Sequence, residues 1–238
     1  MIDCHCHFDI MSSPEQYIAQ MSRNGNTIIG MTNRPCHFRQ GLPFIKENNR
    51  IRLALGLHPL EVGHYEDDIK EFEKLIDKTS YIGEIGLDFS EDGKNTAEKQ
   101  IDCFEEILRL LAGKKKILSV HSRQAEETVL EILELFYQEN VIFHWYSGNE
   151  SLIPNILRLG YYYSINEAMT LSNHGRRIIS AIPKDRILTE SDAPYNKRSD
   201  INQVILYLSM LWSMSLDEVN AVIERNFKRL ISRLAEKE

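Results

Sequence analysis

Along the chain, short apolar or β-branched runs alternate with stretches whose apolar residues return at three- and four-residue steps. This alternation predicts β-strands joined by amphipathic helices around a parallel sheet. Eight strands are expected, over 2–8, 27–32, 52–56, 81–86, 117–120, 141–145, 161–165 and 186–189. The clearest helical patterns cover 97–111 and 125–137, and two further stretches, 201–214 and 216–234, follow the last strand. No Pro/Gly/Ser-rich linker, low-complexity tract or repeat divides the chain, so residues 1–238 read as a single domain. Eight strands with intervening helices in this length predict an α/β fold of the TIM-type (β/α)8 barrel class, whose active sites form at the C-terminal ends of the strands. A doubly wound open sheet is the alternative. A barrel should gather its chemically active residues at the ends of several non-adjacent strands, and the sequence places them there.

The first strand reads Asp3-Cys4-His5-Cys6-His7. With a side-chain period of two, Asp3, His5 and His7 are expected on one face and Cys4 and Cys6 on the other, packed against helices. Neutral imidazole is a good ligand for borderline divalent ions, so the two histidines form a candidate metal clamp. Glu84 lies in Gly83-Glu84-Ile85-Gly86-Leu87-Asp88, a carboxylate in an otherwise apolar strand. A buried carboxylate needs a partner, and a cation shared with the histidines would supply one. The flanking glycines allow close backbone approach. His121 and His144 each close an apolar run, and Asp192 lies just past the last strand in Thr189-Glu190-Ser191-Asp192. Together these are four imidazoles and two carboxylates from the ends of five strands. That exceeds the three protein ligands of a common catalytic zinc site. The excess points to two divalent ions, Mg²⁺, Mn²⁺ or Zn²⁺, bridged by a carboxylate and activating a water for hydrolysis, with Asp192 and Glu84 as the catalytic carboxylates.

Composition adds constraints on compartment and partners. The formal charge is −7, from 28 basic and 35 acidic residues, without an obvious basic face; two bound divalent ions would place positive charge where a phosphate-bearing substrate needs it. The longest mostly apolar run, 204–214, is about half of the roughly 20 residues that a membrane span needs, so no membrane span is expected. The start of the sequence lacks a signal-peptide pattern and the four cysteines show no disulfide framework. A cytoplasmic protein with reduced thiols is the expectation.

These residues, in this order, resemble the TatD family of metal-dependent deoxyribonucleases within the amidohydrolase superfamily. The similarity is carried by Asp3-Cys4-His5-Cys6-His7, Gly56-Leu57-His58-Pro59, Gly83-Glu84-Ile85-Gly86-Leu87-Asp88, Val120-His121-Ser122-Arg123, His144-Trp145-Tyr146-Ser147-Gly148 and Glu190-Ser191-Asp192-Ala193-Pro194-Tyr195. The resemblance implies a barrel, two divalent ions and hydrolysis of DNA phosphodiesters, typically from the 3′ end. It places His5, His7, Glu84 and Asp192 at one metal position and Glu84, His121 and His144 at the other, with Glu84 as the bridge. After Tyr195 the chain departs from the common pattern, because Asn196-Lys197-Arg198-Ser199-Asp200 is shorter than the loop most members carry there. In this respect, and in Ser147-Gly148 and Met1-Ile2-Asp3, it is most similar to the TatD-type nucleases of Qat anti-phage defence clusters. That similarity implies protein partners from the same gene cluster.

Other residues carry narrower expectations. The resemblance places His58 near the substrate. Arg123 is placed to meet a phosphate through its planar fork, against an ion pair with Glu126 or Glu127 as the plain alternative. His37, His64 and His174 are expected in solvated loops, and Tyr161-Tyr162-Tyr163 in packing rather than as a base-stacking platform. Two other functions compete with nuclease activity. One is an amidohydrolase acting on a small C–N or C–O bond. The other is a scaffold subunit in which metal serves stability. Binuclear amidohydrolases commonly bridge their ions with a modified lysine, by resemblance, whereas Glu84 stands on the corresponding strand here.

Overall fold

The structure is a computed structural model and describes residues 1–45 and 48–235. Each of the eight expected runs forms a strand: β1 (Ile2–Cys6), β2 (Thr27–Gly30), β3 (Ile51–Leu53), β4 (Tyr81–Gly86), β5 (Ile117–His121), β6 (Val141–His144), β7 (Tyr162–Ile165) and β8 (Ile187–Thr189). Between them run α1 (Pro14–Arg23), α2 (Pro35–Ile45), α3 (Tyr65–Leu75), α4 (Ala97–Leu110), α5 (Glu126–Leu135), α6 (Ile153–Arg158), α7 (Glu167–Leu171) and α8 (Asn173–Ala181). The helices α9 (Ile201–Trp212) and α10 (Leu216–Ser232) follow β8.

All ladders are parallel and join strands in chain order, β1-β2-β3 in one sheet and β4 to β8 in another. The two seams between the sheets are narrower than a ladder. At one, Leu55 bridges Ile82, with Leu55 N–H donating to Tyr81 O at 3.0 Å and Gly83 N–H to Leu55 O at 2.9 Å. At the other, Asp192 N–H donates to His5 O at 2.9 Å and His7 N–H to Ala193 O at 2.7 Å. The Thr189 hydroxyl also donates to Ile2 O across this seam. This order of strands and outer helices is the TIM-type barrel. Its single apolar core draws on every strand, with Cys4, Ile28, Leu53, Ile85, Val120, Phe143, Tyr163 and Leu188 all at most 1% exposed.

Several local expectations shift. The register of β1 against β2 slips between Asp3 and Cys6, so strict alternation fails there, as it does wherever a residue is inserted in a ladder. Asp3 consequently turns away from the histidines and accepts from the Ser191 hydroxyl at 2.6 Å and the Ser191 N–H at 3.0 Å. Cys4 lines a small internal cavity with Met31, Ser119, Ile142 and Phe227 of α10, while Cys6 hydrogen-bonds Tyr17 of α1. His37 and His174 lie in α2 and α8, not in loops. Tyr161, Tyr162 and Tyr163 are all buried, and Tyr161 donates to Gln138 O at 2.8 Å.

Candidate metal centre

Every ionisable residue singled out from the strand ends meets at one end of the barrel. Glu84 is at the centre, 3% exposed, and its two oxygens face two different sets of imidazoles. Oε2 lies 3.4 Å from His5 Nε2 and 3.2 Å from His7 Nε2. Oε1 lies 2.6 Å from His121 Nδ1 and 2.8 Å from His144 Nε2. Asp192 Oδ1 stands 3.7 and 3.8 Å from the Nε2 atoms of His5 and His7. Gly86, at φ +130°, lets β4 press against β5; a Cβ there would sit 2.1 Å from His121 O.

The donor set fits divalent cations. His5 Nε2 and His7 Nε2 are 3.2 Å apart and look towards the same carboxylate. A tetrahedral ion with bonds of 2.0–2.1 Å holds its ligand atoms about 3.3 Å from one another, the spacing seen here. Imidazole nitrogens and carboxylate oxygens within 4.8 Å recur in three overlapping groups: His5 with His7 and Glu84, His5 with His144 and Asp192, and His58 with Glu84 and His121. His58 therefore reaches the cluster itself, with Nε2 3.5 Å from Glu84 Oε1. Its Nδ1 accepts from Leu60 N–H at 3.1 Å.

Without an ion, these groups must satisfy one another. Burial would raise the Glu84 carboxyl, but His58, His144 and His121 outweigh it and hold it well below the usual carboxylate range. Burial likewise opposes charge on His144, yet Glu84 and Glu190 raise its pKa well above the ordinary histidine value. His121 is also raised, against burial, by hydrogen bonds to Asp88 and Glu84. His5 is driven well below it, by burial and by His144. Asp192 is pushed up to about 7, chiefly by burial and further by Glu84 and Glu190.

A second ring of partners holds the first. His5 Nδ1 meets the Ser119 hydroxyl at 2.8 Å, and His121 Nε2 meets Asp88 Oδ2 at 2.8 Å. His144 Nδ1 faces Glu190 Oε1 at 3.6 Å. Asp88 is itself held by Ser90 N–H at 2.9 Å, and its own N–H donates to Gln100 Oε1 at 2.8 Å. Glu190 is fully buried between Ser164 and Asn166. Sequence reading gave Asp88, Ser119 and Glu190 no role. The only signal available was position, Asp88 four residues past Glu84 and Glu190 two before Asp192.

The cluster opens into a cavity of about 570 Å³ whose wall includes Asn33, Leu60, Arg123, Trp145, Ser147 and Tyr195. Arg123 is half-exposed and 3.9 Å from Asp92, not paired with Glu126 or Glu127. At that distance its fork remains available to a ligand.

A parallel barrel with imidazoles and carboxylates converging at the C-terminal strand ends defines a hydrolase of the metal-dependent kind. Residues 2–232 match the model of the family described as TatD related DNase, and the chain belongs to that family of metal-dependent hydrolases. It is 24% identical to the human deoxyribonuclease TATDN3, over 98% of this chain and 95% of that protein. It is 26% identical to the uncharacterized metal-dependent hydrolase MJ1582 of Methanocaldococcus jannaschii, over 98% and 97%. Among solved structures, the TatD homologue YJJV of Escherichia coli superposes with a TM-score of 0.86 at 24% identity, over 97% of each chain. A TatD family hydrolase of Entamoeba histolytica does so with 0.79 at 17%, also over 97% of each. Among the described residues, no helix is long and apolar enough to cross a membrane.

Proposed function

We propose that the protein hydrolyses DNA phosphodiester bonds with two divalent ions, Mg²⁺, Mn²⁺ or Zn²⁺, removing nucleotides from the 3′ end. The observation that carries this reading is the division of Glu84, one oxygen turned to His5 and His7 and the other to His121 and His144. His5, His7, Glu84 and Asp192 would hold one ion, and Glu84, His121 and His144 the other. Such ions lower the pKa of water and neutralise the charge that develops on the phosphate oxygens.

The chain's own residues do the rest. Asp192 Oδ1, 3.7 and 3.8 Å from the Nε2 atoms of His5 and His7, stands where it would take the proton of an attacking water. Arg123, at the cavity wall, offers a planar fork to a non-bridging phosphate oxygen. His58, beside Glu84 Oε1, lines the path by which substrate reaches the cluster. The similarity to nucleases of Qat defence clusters supports a role in anti-phage defence inside the cell with protein partners, a further part of the same proposal.

End-labelled single- and double-stranded DNA, incubated with each of the three metals, tests it. Laddering from the 3′ end is expected, and Glu84→Gln or Asp192→Asn should each reduce the rate by about 10²–10⁴-fold under conditions where each variant is still folded by circular dichroism. A folded, metal-loaded protein that cuts no DNA but hydrolyses small amides or esters would replace this reading with the amidohydrolase one. A protein whose mutants lose stability or assembly without any turnover to lose would be a scaffold.

A further inference from the structure

The cavity above the cluster has an unusual wall. Its floor consists of carboxylates and imidazoles, yet Leu60 and Tyr195 stand at its rim with much of their surface in water, and the partly buried Trp145 joins them on the wall. Tyr195 is 56% exposed. A tyrosine left in solvent would ordinarily sample several rotamers, but Asn33 Nδ2 donates to its hydroxyl at 2.6 Å. Its ring also rests edge-on against His7, with centroids 4.8 Å apart. The side chain is therefore fixed at the mouth of the site. Asn33 is only 9% exposed, and its other amide atom, Oδ1, has no partner among the described residues.

Trp145 follows His144 directly and adopts φ +38°. Bulky residues rarely enter this left-handed region, and those that do concentrate at functional sites. Here the conformation turns the chain out of β6 at the point where His144 enters the cluster. It leaves the indole half-buried on the cavity wall. One aromatic ring thus adjoins a histidine on each side of Glu84, Tyr195 beside His7 and Trp145 beside His144. The three consecutive tyrosines 161–163 cannot serve as such a surface, because they are buried in the core.

We propose that Trp145 and Tyr195 form a stacking clamp for the base of the terminal nucleotide, with Asn33 holding the Tyr195 ring at the mouth of the site through its hydroxyl. The proposal rests on the DNA reading above and adds what is gripped. A phosphodiester at Glu84 and Asp192 has its adjoining nucleoside within the same cavity, whose volume suits a small ligand. Every base presents a π-face, so stacking holds the terminal nucleotide without selecting its sequence.

The decisive substrates are two oligonucleotides that differ only in their 3′-terminal residue, intact in one and abasic in the other. The wild-type, metal-loaded enzyme should show KM about 10–100-fold higher on the abasic end, as expected for one lost stack. Its kcat should change little. Tyr195→Ala should raise KM on the intact end and add almost nothing on the abasic one, while Tyr195→Phe, which keeps the ring, should stay near wild type on both. A spectroscopic measurement is independent of turnover. The chain has two tryptophans, so Trp212→Phe leaves Trp145 as the only indole; in the slow Asp192→Asn background its fluorescence should be quenched by the intact oligonucleotide and much less by the abasic one. Equal KM values for the two ends, or equal quenching, would overturn the clamp while leaving nuclease activity in place. If neither oligonucleotide is bound or cut, the DNA reading falls first and takes the clamp with it.

Discussion

Each imidazole of the cluster has two nitrogens, and only one can face an ion. What occupies the other decides whether the ring is ready to bind or must first reorganise. Asp88 fixes His121 by meeting Nε2 at 2.8 Å, which keeps Nδ1 directed at Glu84. Carboxylate partners of this kind orient metal-binding histidines and raise their basicity, and their loss typically weakens metal binding about 10–100-fold. Asp88→Asn, nearly identical in shape, should therefore bind Mn²⁺ or Zn²⁺ about 10–100-fold more weakly by calorimetry. A wild-type affinity would confine Asp88 to a structural role. The candidate ligands were legible in the sequence because each is a polar residue interrupting an apolar strand end. Asp88 and Glu190 were not, because each acts on a side chain from another strand, and no linear pattern encodes that contact.

At the scale of the element, strands were easier to read than their details. The eight apolar runs survive as strands because a buried parallel strand needs a continuous apolar run, and that run stands out in the sequence. The slip in β1 was hidden, since period-two reasoning assumes an unbroken ladder and a bulge depends on the neighbouring strand. The helices that follow β8 matter more than their terminal place indicates. Asn226 of α10, 1% exposed, donates to Lys184 O and Ile187 O, both at 2.8 Å, and so fastens the helix beneath β8. Asn226→Leu would leave both carbonyls without this donor in the interior. A loss of about 1–3 kcal/mol is expected, read as a lower midpoint in urea unfolding with an unchanged slope. Because β8 leads directly to Asp192, the same variant should weaken metal binding more than an equally destabilising change in α4 does.

For the whole molecule, the cluster makes stability depend on pH and on metal together. In the metal-free protein His121 and His144 are raised above the ordinary histidine value, and Asp192 and Asp3 are pushed up to about 7, each chiefly against or through burial. Above pH 7 the unfolded chain has released nearly all of these protons, whereas the folded chain still holds some. Folding is therefore coupled to proton uptake there, and stability must fall as pH rises. His5 and His58, lowered by burial, act in the opposite sense only below about 7, where the unfolded histidines still titrate. Melting temperatures of EDTA-stripped protein should decline from pH 7 to pH 9. Metal-loaded protein should show a smaller decline, because ligation has already displaced the protons. Parallel curves would mean that the cluster does not govern global stability.

The seam that joins β8 to β1 has a further consequence, one of timing. Ile2 and Thr189, which meet across it, are 187 residues apart, and the backbone of Asp192 is anchored on His5 and that of His7 on Ala193. During synthesis the two leading histidines thus emerge long before their carboxylate partner does. At about 5–20 residues per second that interval lasts on the order of ten seconds or more. An unfinished chain cannot assemble the cluster, so the capacity for hydrolysis appears only with the last strand, once nearly all of the barrel has been synthesised.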